Sequence, residues 1–511
     1  MSGETPGVSH ASRQIRGSSL LTFGRVLSLG VNFATQVLIA RYLSTTAYGA
    51  WAYALSLVTL GETISTFGLD RGASRFLAMY DEQRDYRRLT GTLLLVAGTI
   101  LSLGLTIVLL VVGLQGWLTD HVIGDAATVS VLVILILLSP LQAADNLLSG
   151  VLATFASAKA IFFRRYVMTP GLRLTVVLLL VLREQEVRFL AWGYVLTGAA
   201  GIIAYCLILW QVLERRGVRK ELRLRRATIP FKQILGFTLP LLTTDLVYVS
   251  MVTTDALLLQ HYYGTDEVAA LRVIQPLANL NLVVYSSFTL LFTPVASRLL
   301  ARGDRAGVAD LYWRTATWVA VFSFPMFALT VTMAKPVTIA FYEQRYAGSA
   351  VFLALLSAGQ YFNAALGFNG LTLRVFGFLR YTIAINLVAV VVNVALNLVL
   401  TPRMGALGAA IATAATLVLH NILKQWGLRH GTGISVFDWR YARVYLIILV
   451  VGAVLGAVAL LFDPQFMVSV AIAAVASLLV LYLNRERLAI GETFPEVLRI
   501  PVVKHLVGRK R

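Results

Sequence analysis

Apolar residues in this chain gather in blocks of roughly twenty, separated by short stretches rich in Arg, Lys, Gly or Pro. A bilayer core about 30 Å thick is crossed by about 20 helical residues at 1.5 Å each, so every block of that length predicts a membrane span. Fourteen are expected, over residues 18–40, 46–68, 90–113, 126–150, 166–182, 188–213, 234–260, 266–293, 313–335, 349–370, 381–401, 405–427, 443–462 and 466–484. The blocks are continuously apolar and rich in Leu, Ala and Gly. They lack the alternation of a membrane β-strand, which excludes a barrel. The fold class expected is therefore all-α, a polytopic bundle of about fourteen transmembrane helices.

The polar breaks predict the orientation. With the N-terminus inside and basic residues near span ends counted to the adjoining segments, the inner segments hold 35 of the 44 Lys and Arg, the outer segments hold 6, and Arg25, Arg173 and Arg272 lie deeper within spans. Positive charge is retained on the inner side, so both termini are expected in the cytoplasm. The first apolar run is too long for a secretory leader and has no small-residue cleavage site, so it is expected to remain as the first span.

Composition agrees with the pattern. The chain is 58% hydrophobic and 14% charged, against about 45–50% and about a quarter in soluble proteins. A net charge of +19 does not indicate nucleic acid, because the basic residues collect in juxtamembrane loops such as ERRGVRKELRLRRATIPFK (214–232), where they meet anionic lipid headgroups. Membrane lipids are expected partners and nucleic acid is not. One cysteine, Cys206, excludes an intramolecular disulfide or a cysteine-cluster metal site. The six His are scattered without metal-ligand spacing, and no phosphate-binding GxxxxGK[ST] loop is present. No metal, no cofactor and no ATP hydrolysis are expected. The longest loop has no room for a folded domain, and the short outer loops argue against a polymerase or glycosyltransferase. Transport, not enzymatic chemistry, is what remains.

Two pairs of segments echo each other: RYLSTTAYGA (41–50) with HYYGTDEVAA (261–270), and ASRFLA (73–78) with ASRLLA (296–301). Six spans separate the copies, so the second enters the membrane in the same sense as the first, as in parallel-repeat transporters whose substrates bind between lobes. The expected organisation is a cytoplasmic tail over 1–17, an N-lobe over 18–213, a basic cytoplasmic linker over 214–233, a C-lobe over 234–427, two appended spans over 443–484 and a basic cytoplasmic tail over 485–511.

Several stretches carry a family resemblance: LIARYLSTTAYGAWAYALSL (38–57), STFGLDRGASRFLA (65–78), LPLLTTDLVYVSMVTTDALLL (239–259), LFTPVASRLLARGD (291–304), YAGSAVFLALLSAGQYFNAALGFNG (346–370) and INLVAVVVNVALNLVLTPRMGALGAAIATAATLVLHNIL (385–423). In order and spacing the chain resembles the Wzx-type polysaccharide-exporting flippases of the multidrug/oligosaccharidyl-lipid/polysaccharide (MOP) superfamily. It departs at Ser44 and Thr45, where relatives usually carry Gly-Pro. The resemblance implies a V-shaped pair of helical bundles in the cell membrane. It also implies transfer of a polyprenyl-diphosphate-linked oligosaccharide from inner to outer leaflet, with polysaccharide-assembly proteins as partners. Hydroxyl-rich sugars cannot cross hydrocarbon unpaired, so a polar cavity is required.

The polar residues inside spans are the candidate chemistry. Asp245 and Asp255, ten residues apart, are separated by about 80° and about 15 Å on one helix, and a carboxylate at mid-bilayer must face protein or water and can titrate. Its plainer role is a neutral or Arg-paired structural group, and Asp255 lies close enough to the outer end to be solvated. Arg25, Arg173 and Arg272 suit the diphosphate of a lipid carrier, since guanidinium pairs bidentately with phosphate; snorkelling to the interface is the alternative. Glu62 and Asp145 are grouped with the aspartates as ion-coupling candidates, for H⁺ or Na⁺, although pairing with Arg25 or Arg173 is their simpler use. Asn386, Asn393 and Asn397 share one helix face and predict interhelical hydrogen bonds, with Asn363 and Asn369 similar. Gly452 and Gly456 predict close helix packing. A cation-coupled multidrug or small-molecule antiporter of the same superfamily is the alternative function. A lipid-processing enzyme or scaffold would need a clustered His, Asp or Ser constellation, which is not visible.

Overall fold

The computed structural model describes residues 6–155, 161–215 and 227–488. The regular structure of these residues is all helical, without a strand among them. Among the described residues, ten helices are long and apolar enough to cross a membrane. One of them, Leu379–Thr432, carries two expected spans, 381–401 and 405–427, joined where Gly405 adopts φ 57° and ψ −138°, a backbone conformation open to glycine. Three expected spans, 18–40, 46–68 and 234–260, lie on helices outside the ten. The second is explained by its surroundings. The helix Thr45–Thr66 has twelve buried residues, many of them Gly, Ala, Ser, Thr or Tyr, a composition suited to helix neighbours rather than acyl chains.

The chain forms two compact units, Met1–Ala269 and Ala270–Arg511. The first contains α1 (Pro6–Tyr42), α2 (Thr45–Thr66), α3 (Leu69–Glu82), α4 (Tyr86–Gly113), α5 (Ala126–Leu135), α6 (Leu138–Phe155), α7 (Thr169–Leu182), α8 (Val187–Arg215) and α9 (Phe231–Tyr263). At its centre α2 touches α4, α5, α6 and α9. Leu69, Leu77, Val96, Ala143, Phe155 and Ile234 form a shared apolar core.

The helix that opens the second sequence repeat, α9, packs on α2 and α3 of the first unit. Small residues make this possible. The Thr265 carbonyl lies where a side chain at Gly49 would stand, and the Thr238 methyl group does the same at Gly72. Thr46 Oγ1 donates to Asp266 Oδ1 at 2.9 Å, so the two repeated motifs 41–50 and 261–270 meet. The compact unit therefore runs on to Ala269, past the 214–233 linker at which the sequence repeat divides; residues 216–226 of that linker, and 489–511 of the expected tail, lie outside the described residues. Gly49→Val is expected to destabilise the folded protein by about 1–3 kcal/mol through overpacking. Gly456→Ala, at a glycine with nothing within 4 Å of the new methyl, should leave the melting temperature in detergent unchanged or slightly higher.

In the second unit the principal helices after the junction helix α10 (Thr265–Arg272) are α11 (Val283–Ala301), α12 (Arg305–Phe327), α13 (Ala334–Tyr342), α14 (Ala350–Ala365), α15 (Asn369–Val375), α16 (Leu379–Thr432), α17 (Ala442–Phe462) and α18 (Phe466–Leu488). Phe324, Tyr361, Val444, Ile448, Ala473 and Val480 join α12, α14, α17 and α18 in one core. The asparagine face of α16 is spent across its own hairpin: Asn386 Oδ1 lies 2.9 Å from His420 Nε2, and Asn393 Nδ2 donates to Thr416 at 3.4 Å. Asn363 and Asn369 both bond Asn421, at 2.9 and 3.1 Å. Gly452 packs against Phe327 within the unit, whereas Gly456 has no neighbour there.

Candidate functional site: an ionic cluster in the first unit

The cluster begins with an irregular turn. Pro170 has no N–H to donate one turn back, and the preceding residues Phe163–Met168 widen into a π-helix in which the Thr169 N–H reaches the Arg164 carbonyl. Such wide turns occur frequently at functional sites. Arg164, within this one, is 3% exposed. Its guanidinium pairs with Asp145, donates from Nε to the Gly201 carbonyl at 3.3 Å and from Nη1 to Thr169 Oγ1 at 3.0 Å, and lies 4.1 Å from the Tyr205 ring centroid. A Cβ at Gly201 would occupy the place of its terminal nitrogen. Arg164 and Asp145 are thus locked by contacts on three helices.

The neighbouring residue on α6 serves a different carboxylate. Asn146 Nδ2 donates to Glu62 Oε1 at 2.7 Å. Glu62, on α2, is partly buried and makes no ion pair among the described residues. On α7, the Arg173 guanidinium lies 5.1 Å from the Tyr194 ring, which in turn sits edge-on to Trp51 at 4.7 Å. Arg173 Nε is buried without a hydrogen-bond partner, and its charge acts on both Glu62 and Asp145. One carboxylate is therefore neutralised in place, while a second carboxylate and a second guanidinium stand near each other without closing into a pair.

The other expected site residues are dispersed. Arg25 is exposed on α1. Arg272 is 9% exposed and donates to Gln275 Oε1 at 2.9 Å, so it is packed rather than snorkelling. Asp245 is partly buried on α9. Asp255 is 3% exposed and accepts from the Ala256 N–H at 2.8 Å, so it is not solvated despite its position near a helix end. Of the pairings expected for Glu62 and Asp145, neither forms: Asp145 pairs with Arg164 instead. Sequence reasoning missed Arg164 because the fifth span, set at 166–182, left it in a cytoplasmic segment. Pro170 six residues later was the available signal. Among the described residues no group of three or more His, Cys, Asp or Glu could hold a metal ion.

Comparison with known proteins bears on the whole chain. The profile of the family described as polysaccharide biosynthesis protein matches residues 15–300, and that described as MatE matches residues 240–399. No curated protein sequence matches. Among solved structures, the chain is similar to the lipid II flippase MurJ in an inward closed conformation, at 14% identity and a TM-score of 0.69 over 93% of this chain and 100% of that one. It is similar to a multidrug resistance MATE family transporter of the MOP superfamily in its inward-facing conformation, at 16% identity and a TM-score of 0.64 over 80% and 95%. A MOP superfamily transporter from Pyrococcus furiosus Vc1 follows at 14% identity and a TM-score of 0.55 over 82% and 95%. At these identities the likeness is one of fold.

Proposed function

The chain belongs to the polysaccharide biosynthesis protein family, within the MOP superfamily of membrane transporters, and on that premise we propose that it is a Wzx-type flippase. It carries a polyprenyl-diphosphate-linked oligosaccharide from the inner to the outer leaflet by alternating access, driven by an ion gradient, for cell-surface polysaccharide biosynthesis. It resides in the cell membrane with both termini in the cytoplasm and works beside polysaccharide-assembly proteins.

The observation that carries this reading is the unclosed pair in the first unit. Arg173 keeps a buried Nε without a hydrogen-bond partner close to Glu62, which accepts its hydrogen bond from the Asn146 amide rather than from a cation. A guanidinium in that condition suits a diphosphate, whose oxygens accept two parallel N–H bonds. Arg25 and Arg272 are assigned to the same anionic head at other stages of its passage. Glu62 can take up or release a proton without breaking an ion pair, which makes it the first candidate for coupling, with Asp245 and Asp255 next. Asp145, held by Arg164, is moved from coupling to support.

The test is translocation of a fluorescent lipid-linked oligosaccharide in proteoliposomes with imposed proton or sodium gradients. Gradient-dependent transfer is expected, and Glu62→Gln should retain downhill exchange while losing its response to a proton gradient. No transfer under any gradient sinks the flippase reading. The MatE match over 240–399 favours a second reading, a cation-coupled exporter of small molecules. Drug resistance conferred on expressing cells, with no effect on surface glycan, would select it.

A further inference from the structure

In the second unit a different group of cations converges on one glycine. Arg374, on α15, donates from Nε to the Gly370 carbonyl at 3.3 Å, which turns its guanidinium back along its own helix. From α16, the Lys424 side chain lies against the same residue: a Cβ at Gly370 would stand 3.6 Å from Lys424 Cε and 3.7 Å from Cδ. His420, one turn earlier on α16, is held by Asn386 at 2.9 Å. The charges of Arg374 and Lys424 act on one another, and that of Lys424 acts on His420. Beside them the donors and acceptors of Asn363, Asn369 and Asn421 are engaged among themselves.

Among the described residues no carboxylate forms an ion pair with Lys424 or Arg374. Retention of positive charge at the inner ends of spans accounts for Arg380 and Arg429, which are exposed. It does not account for Lys424, whose stem is drawn in against α15. Arg374 is exposed and Lys424 partly buried; two like charges held beside one glycine repel, and the cost falls when an anion sits between them. We propose that Lys424 and Arg374, with His420 beside them, form an anion site in the second unit that binds a phosphate group, from either a lipid headgroup or a soluble diphosphate. An ammonium supplies a point charge and a guanidinium a planar fork, a combination that matches phosphate oxygens. This site is separate from the Arg173 cluster and does not depend on the flippase reading.

The experiment uses the full chain in a maltoside detergent, which brings no phosphate of its own. Acylation of Lys424 by an amine reagent is followed by mass spectrometry in two arms, one with rising inorganic pyrophosphate and one with added phosphatidic acid. Lys335, exposed and paired with Asp463 at 2.5 Å, is the internal reference. Protection of Lys424 but not Lys335 is expected, and Arg374→Gln should raise the concentration needed for half-protection about tenfold or more. Protection in the pyrophosphate arm alone identifies a soluble or terminal diphosphate. Protection in the phosphatidic acid arm alone identifies a lipid headgroup. Protection in neither arm, or protection untouched by Arg374→Gln, overturns the site. If the reagent does not reach Lys424, the rise in melting temperature with pyrophosphate decides: it should be present in the wild type and lost in Lys424→Met, and a rise of equal size in both overturns the site.

Discussion

Arg164→Met is expected to destabilise the folded protein by about 3 kcal/mol, at the lower end of the cost of stripping one partner from a buried ion pair because Asp145 keeps some exposure. Removing the guanidinium leaves the Asp145 carboxylate without its cation and the Gly201 carbonyl without its donor. Arg164→Lys should recover only part of the loss, since an ammonium cannot reach Asp145, Gly201 and Thr169 from one plane. The double variant Arg164→Met with Asp145→Leu should be more stable than Arg164→Met alone, because replacing both members of a buried pair by apolar side chains costs less than orphaning one. Melting temperature in detergent for the two single variants and the double variant closes the cycle. If the double variant is the sum of the singles, Arg164 and Asp145 do not act as the unit described here.

Arg164 also marks where the chain was legible and where it was not. Apolar block length is a property of sequence alone, and it located helices from 18–40 to 466–484 because backbone groups in hydrocarbon must bond internally. The asparagine face of α16 was legible for the same kind of reason: intervals of seven and four put Asn386, Asn393 and Asn397 on one side, and that side is hydrogen-bonded. Ionic partners were harder. Pairing of Asp145 with Arg164 depends on a π-turn, on Gly201 leaving room for the guanidinium, and on a side chain that apolarity counts to a loop. Unit boundaries were harder again. A repeat in sequence records how the chain arose, whereas the packing of α9 and the start of α10 on α2 and α3 depends on Gly49 meeting Thr265 and Gly72 meeting Thr238, contacts between residues far apart in order.

For Arg173 the expected effect is on transport rather than folding. Its contact with the Tyr194 ring contributes on the order of 1 kcal/mol, and its Nε has no bond to lose, so Arg173→Ala should melt close to the wild type. Loss of a bidentate grip on a diphosphate removes two charge-assisted hydrogen bonds of roughly 1.5–3 kcal/mol each. Translocation of the lipid-linked oligosaccharide should therefore fall about 100-fold or more in Arg173→Ala. Arg173→Lys should fall about tenfold, because a point charge attracts phosphate but cannot hold two oxygens in one plane. The ordering wild type, Lys, Ala in initial rate at matched protein density, with melting temperatures unchanged, assigns Arg173 to the substrate. A rate for Arg173→Ala equal to that of the wild type would return the residue to packing against Tyr194 and leave the diphosphate to other cations. A loss of rate accompanied by an equal loss of melting temperature would make its role structural.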